Sequence, residues 1–227
     1  MVCKRCGQEN PAYARFCLAC GAALDAEPAK QERKLVSVLF VDLVGFTGQS
    51  EQADPEDVRD RLRAYQVAAQ QTIGAFGGTM EKFIGDAVMA VFGAPVSHGD
   101  DAERAVRAGL GVLEAMGQLR LQARAAVCTG EAVVSITSGP ATGEALATGD
   151  VVNTASRLQS SAAAGSLVVG EETYKLTRNA ITYVALPSVD AKGRRSPCAR
   201  GWRWLLPWPV RRGPRRRWWD GTASSRY

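Results

Sequence analysis

The chain has 227 residues, 46% of them hydrophobic, which is enough for one sizeable core plus small appendages, and no apolar run approaches the ~20 residues of a membrane span. Its start, Met-Val-Cys-Lys-Arg-Cys, lacks the apolar segment of a secretory signal, so a cytoplasmic, reducing location with no membrane partner is expected; a single histidine, His98 in a loop-like stretch, argues against Ser-His-Asp or Cys-His chemistry. The net charge of +5 is uneven: residues 194–227 hold ten of the 28 basic residues, one of the 23 acidic ones and all five tryptophans, so residues 1–193 balance to −4 and nucleic acid is not an expected partner of the main body.

In chain order, residues 1–24 carry Cys3-x2-Cys6 and Cys17-x2-Cys20, each pair followed by a glycine, Gly7 and Gly21, that lets the backbone turn around a metal. Four thiolates in two such knuckles make a closed tetrahedral zinc site; a pair of disulfides is the competing reading and does not suit a reducing location. Modules of this kind serve nucleic acid, protein and purely structural roles alike, so a protein partner of this ribbon stays open. Residues 25–34 are polar and read as a linker. Leu35–Val41 reads as a buried strand running into Asp42. Asp54-Pro55 supplies an N-cap and a proline at the first helical position for a helix ending near Phe76, before Gly77-Gly78. Two apolar strands, Thr79–Ile84 and Ala87–Phe92, follow as a hairpin turning at Gly85-Asp86. A second helix starts near Asp101, with Val106, Leu110, Leu113 and Met116 at helical spacing. Arg124–Val134 is a strand or bent strand pair, Val151–Ser161 a short helix, and Leu167–Val169 and Ile181–Ala185 are strands flanking a helix Glu171–Thr177. That order predicts an α/β (α+β) fold, a mixed sheet flanked by helices.

Asp42, ending a hydrophobic strand beside a turn containing Gly45, is placed to hold a divalent cation next to phosphates. Asp86 at the hairpin tip is a second hard-oxygen ligand, and if the hairpin lies beside the first strand the two carboxylates converge on paired cations. Each alone has a structural alternative, since Asp caps turns and Gly-Asp is a common hairpin turn. Asn153 and Arg157, four residues apart, share one helical face, where an amide beside an Arg fork suits charge building on a phosphoryl group.

Taken together, Phe-Val-Asp-Leu-Val-Gly-Phe-Thr (40–47), Glu-Lys-Phe-Ile-Gly-Asp-Ala-Val-Met-Ala-Val-Phe-Gly (81–93), Thr-Gly-Glu (129–131) and Gly-Asp-Val-Val-Asn-Thr-Ala-Ser-Arg (149–157) resemble the class III nucleotidyl cyclases, the adenylyl and guanylyl cyclases. The resemblance spans roughly residues 35–193 and implies a ferredoxin-like core in which the ribose 3′-OH attacks the α-phosphate and expels pyrophosphate. It assigns two Mg²⁺ or Mn²⁺ ions to Asp42 and Asp86, one lowering the pKa of the 3′-OH and one binding the triphosphate. Asn153 would orient the ribose and Arg157 stabilise charge on the α-phosphate. The backbone around Gly45, Phe46 and Thr47 would contact the phosphates, and Lys192 would neutralise phosphate oxygens. Lys82 would read the purine. The two halves of a site would come from different subunits, so the active form is expected to be a head-to-tail homodimer with two equivalent sites.

Two departures from that pattern stand out. Leu146, seven residues before Asn153, occupies the second base-selecting position and cannot hydrogen-bond an adenine amino group, so ATP is favoured over GTP by Lys82 alone. After Gly193 the chain turns into Arg-, Trp-, Pro- and Gly-dense sequence where the resemblance implies a closing strand. One permitted set of codons for 193–201, offset by two bases, reads Gln-Ala-Glu-Pro-Val-Arg-Ala, so a frameshift near Gly193 is expected to leave residues 194–227 disordered or out of frame; a genuine basic, aromatic tail for nucleic acid or membrane surfaces is the alternative. The leading expectation is a nucleotide cyclase for cyclic-nucleotide signalling, and the alternative is a catalytically weak, cyclase-like regulatory or protein-interaction module.

Overall fold

Two strands of 14 residues, β1 (Lys30–Leu43) and β4 (Ala123–Ile136), form the antiparallel centre of the computed structural model, which describes residues 1–11, 14–22, 24, 30–46, 48, 53–136, 147–186 and 203–205. Their residues alternate between two cores, as the period of two in a strand requires. Leu39, Val41 and Leu43 of β1 face one side, where they meet Tyr65, Ala69 and Ile73 of α1 (Pro55–Ala75) and Val106, Leu113 and Met116 of α2 (Asp101–Gln118). Val36, Val38 and Phe40 face the other side, against Val151 and Ala155 of α3 (Asp150–Ser160). Each fully buried Val, Leu or Ile in these layers contributes roughly 1.5–3 kcal/mol.

Local signals set the element ends. The Asp54 side chain accepts from the Glu56 N–H at 2.9 Å to cap α1, with Pro55 at its first position. The hairpin of β2 (Thr79–Ile84) and β3 (Ala87–Phe92) turns at Gly85-Asp86, with Gly85 at φ 63°. The full sheet runs β2-β3-β1-β4-β6-β8-β7, with β5 (Ala147–Thr148) paired to β4. β6 (Leu167–Val169) lies parallel to β4, and α3 falls within the connection between them. α4 (Glu171–Thr177) and β7 (Val184–Leu186) follow. Among the described residues no helix is long and apolar enough to cross a membrane.

Three sequence expectations need correction. Residues 30–34, read as linker, belong to β1 and pair with the far end of β4, from Lys30↔Ile136 to Lys34↔Ala132. Their polarity is misleading because this end of the pair leaves alternate positions, Gln31, Arg33 and Leu35, exposed. The strand expected at 181–185 starts at Val184, since Ile181 instead packs into the core. Disorder throughout 194–227 does not hold for the backbone of β8 (Arg203–Leu205), which runs between β6 and β7, antiparallel to both.

Candidate active site

The even-numbered stripe of β1, Val36, Val38 and Phe40, continues to Asp42 one residue before the strand ends, so a hydrophobic face terminates in a carboxylate. Register places Asp42 opposite Ala87 of β3 and Arg124 of β4, and Asp86 is the turn residue immediately before Ala87. The two carboxylates are therefore neighbours across adjacent strands. Burial raises the Asp86 pKa, and the negative charge of Asp42 raises it further, with Arg124 opposing. Tyr65, whose hydroxyl donates to the Val41 carbonyl at 3.3 Å, has its pKa pushed up by burial and then by both aspartates. One phenol thus senses both charges. Two hard oxygen donors held together beside the Gly45 turn, at φ 73°, fit a divalent cation in the chemistry of their donor set.

Asp42 is already solvated by protein. Its Oδ2 accepts from Arg124 Nε at 3.1 Å and Nη2 at 2.8 Å, and from Gln159 Nε2 at 3.0 Å. Arg124 Nη1 also donates to the Ser160 carbonyl at 2.9 Å, tying β4 to the last turn of α3. Sequence reasoning missed both partners. Arg124 was detectable as a lone charge in Ala-Arg-Ala-Ala-Val on a buried strand, and Gln159 as the polar third member of the stripe Val151, Ala155, Gln159.

That stripe is the buried face of α3. Asn153 and Arg157 are each two residues from its members, about 200° around the helix, and both are exposed. The helix thus turns Gln159 toward its own Asp42 and turns Asn153 and Arg157 away from it. The structure keeps the Asn/Arg pair together on one face and keeps the aspartates together on another, without joining the two sets within one chain. Lys82 is exposed on β2, with Nζ 3.1 Å from Glu81 Oε1. Gly45 is exposed, whereas the Phe46 side chain packs in the core and leaves only its backbone for a ligand. Thr47, Leu146 and Lys192 lie outside the described residues.

The cysteine module forms a separate site. The ligand atoms of Cys3, Cys6, Cys17 and Cys20 all lie within 4.8 Å of one another, with Cys3 Sγ–Cys20 Sγ at 3.7 Å and Cys6 Sγ–Cys17 Sγ at 3.5 Å. These separations exceed the ~2.05 Å of a disulfide and approach the ~3.8 Å edge of a tetrahedron of 2.3 Å Zn–S bonds. Gly7 and Gly21, at φ 74° and 68°, donate their N–H groups to the Cys3 and Cys17 carbonyls, each at 2.9 Å, and so close the knuckles. The Cys17 thiol is lowered to about 6, foremost by the Cys20 backbone N–H, and Cys3 is lowered, foremost by that of Arg5. Against the lowering effect of the Gln8 backbone N–H, Cys6 is pushed the other way, up to about 12, by its hydrogen bonds to the neighbouring cysteines, as expected when clustered thiols share protons; the lowered pair favours thiolate, the form a metal binds.

Residues 29–200 match the model of the adenylate and guanylate cyclase catalytic domain, and residues 2–24 that of a zinc-ribbon domain. Adenylate cyclase 1 of Rhizobium meliloti (strain 1021) is 32% identical over 71% of this chain and 26% of its own length. An uncharacterized protein of the same organism is 36% identical over 77% of this chain and 18% of its own, so the chain spans about a quarter or less of these two curated relatives. Among solved structures, the adenylyl cyclase CyaB from P. aeruginosa superposes with TM-score 0.70 at 30% identity, covering 81% of this chain and 100% of that one. The guanylyl cyclase Cya2 superposes with TM-score 0.70 at 27% identity, covering 80% and 96%.

Proposed function

We propose that this chain, which belongs to the adenylate and guanylate cyclase catalytic-domain family, converts a purine nucleoside triphosphate, ATP in preference to GTP, to a 3′,5′-cyclic nucleotide and pyrophosphate for cyclic-nucleotide signalling. The observation that carries the reading is the division of labour on α3, which anchors its own Asp42 through Gln159 while offering Asn153 and Arg157 outward. A head-to-tail homodimer brings the outward pair of one copy to the aspartates of the other, in two equivalent sites.

In this mechanism Asp42 and Asp86 would hold two Mg²⁺ or Mn²⁺ ions. Bound there, the cations supply Lewis-acid activation of the 3′-hydroxyl and charge neutralisation on the triphosphate. Asn153 orients the ribose so that its 3′-oxygen stands in line with the α-phosphorus. The new 3′-O–P bond forms as the P–O bond to pyrophosphate breaks, and the hydroxyl proton passes to solvent. Arg157 meets the charge that builds on the α-phosphate oxygens, a contribution on the scale of one oxyanion donor, ~10²–10³ in rate. Turn backbone at Gly45–Thr47 and the Lys192 ammonium serve the phosphates, and Lys82 serves the base. In the ribbon, Cys3, Cys6, Cys17 and Cys20 hold one structural Zn²⁺, and a protein partner is its proposed ligand. The test is production of cyclic nucleotide by purified protein from Mn·ATP and Mn·GTP, beside Asp42→Ala. Product from ATP, lost in the variant, is expected; no metal-dependent product from either nucleotide, at concentrations that support a dimer, removes the enzyme reading.

A further inference from the structure

Base recognition looks half-equipped, because Leu146 offers no hydrogen bond and Lys82 offers donors alone. Beside Lys82, however, lies an acceptor. The β2–β3 register shifts between Met80 and Lys82, which makes Glu81 the extra residue of a β-bulge. Successive side chains of a regular strand point to opposite faces, but here the neighbours come together, with Lys82 Nζ 3.1 Å from Glu81 Oε1. The Glu81 side chain is 2% exposed, and its Oε2 accepts from the Ala147 N–H at 3.3 Å. It therefore sits against the residue that follows Leu146. Among the described residues, Oε1 has no hydrogen bond, because the nearby ammonium is out of alignment. A buried carboxylate oxygen that has an ion pair to a half-exposed ammonium but no aligned hydrogen bond keeps room for a further donor.

We infer that Glu81 is a specificity-determining residue that accepts a hydrogen bond from the exocyclic amino group of adenine, supplying what Leu146 lacks. The inference rests on the reading above that Lys82 lies at the base site. Adenine presents one N–H donor at N6 next to an acceptor at N1, which matches one carboxylate oxygen with no hydrogen bond beside one movable ammonium. Lys82, with a side chain 46% exposed, swings on its stem from Oε1 to N1 as the base enters. Guanine in the same placement sets its O6 acceptor against the Glu81 carboxylate and its N1–H donor against the Lys82 ammonium, a mismatch at both positions, and Oε2 is already committed to Ala147. The bulge thus builds a reader for adenine.

The test uses full-length protein, Glu81→Gln, and two non-cyclisable nucleotides: 3′-deoxy-ATP and its analogue lacking the 6-amino group. Affinities are measured with Mn²⁺ by displacement of a fluorescent ATP analogue. The substitution keeps a carbonyl oxygen for Ala147 and places an amide donor where the acceptor was. Wild type is expected to bind 3′-deoxy-ATP about tenfold more tightly than the analogue, the scale of one charge-assisted hydrogen bond. The variant is expected to bind both at the weaker affinity, and unchanged binding of the analogue shows it folded. A tenfold preference surviving in the variant, or no preference in wild type, overturns the assignment. Preference without cyclic product overturns the cyclase reading and leaves Glu81 as base reader; product without preference does the reverse.

Discussion

Replacing Arg124 with methionine keeps the aliphatic stem and removes the guanidinium that neutralises Asp42. Two N–H groups of Arg124 reach one carboxylate oxygen, at 2.8 and 3.1 Å. Hydrogen bonds to a charged group contribute roughly 1.5–3 kcal/mol. With side chains 29% and 15% exposed, solvent screening reduces the pair's contribution to about 1–2 kcal/mol. At about 2–4 °C per kcal/mol for a domain of this size, Arg124→Met should melt about 2–8 °C below wild type in EDTA. Mn²⁺ should then restore it disproportionately. On the proposed site, a cation at Asp42 would compete with Arg124 in wild type, whereas in the variant it would relieve two aspartates that have lost their counter-charge. Thermal melts of both proteins with EDTA and with saturating Mn²⁺ read this directly. Equal Mn²⁺-induced shifts, or an unchanged melting point in EDTA, would refute the idea that Arg124 stands in for the cation.

Arg157→Ala should lower kcat about 10²–10³-fold with KM for ATP within about threefold, because on the proposed mechanism the exposed side chain would contribute transition-state charge stabilisation and little packing. A loss confined to KM would assign Arg157 to ground-state binding instead. Cys17→Ser should leave the ribbon with well under one equivalent of Zn²⁺ by metal analysis, against one for wild type; a full equivalent in the variant contradicts the four-thiolate site. Gly109→Ala places a Cβ 2.5 Å from Leu167 Cδ1 and 3.0 Å from Leu39 Cδ1, so either these buried leucines change rotamer or α2 lifts from the sheet. The cost should be about 1–3 kcal/mol by urea unfolding, and an unshifted midpoint would show that the leucines give way.

Much of this architecture was legible because its signals are local. Asp54-Pro55, Gly77-Gly78 and Gly85-Asp86 are start, stop and turn chemistry, and they set α1 and the hairpin where the structure has them. The ends of β1 and β4 were not legible, because ladder hydrogen bonds between distant segments, rather than side-chain hydrophobicity, hold Lys30–Lys34 extended. β5 is two residues long, below any periodicity a sequence can display. At the site, Asp42, Asp86, Asn153 and Arg157 were visible as motif residues with roles, whereas Arg124 and Gln159 showed only as polar residues on buried faces and Glu81 only as the first residue of a motif stretch. Their significance depends on register: Arg124 matters because it faces Asp42 across a strand pair, and Glu81 because a bulge turns it inward.

The central claim is that each site is shared between two copies, and complementation tests it most directly. Asp42→Ala and Arg157→Ala should each be nearly inactive alone. After mixing in equal amounts and exchanging subunits, half of the dimers pair one variant with the other, and each such dimer holds one intact and one doubly damaged site. Activity should recover to about a quarter of wild type. No recovery despite demonstrated exchange, or full sites retained in either variant alone, would contradict a site shared between subunits.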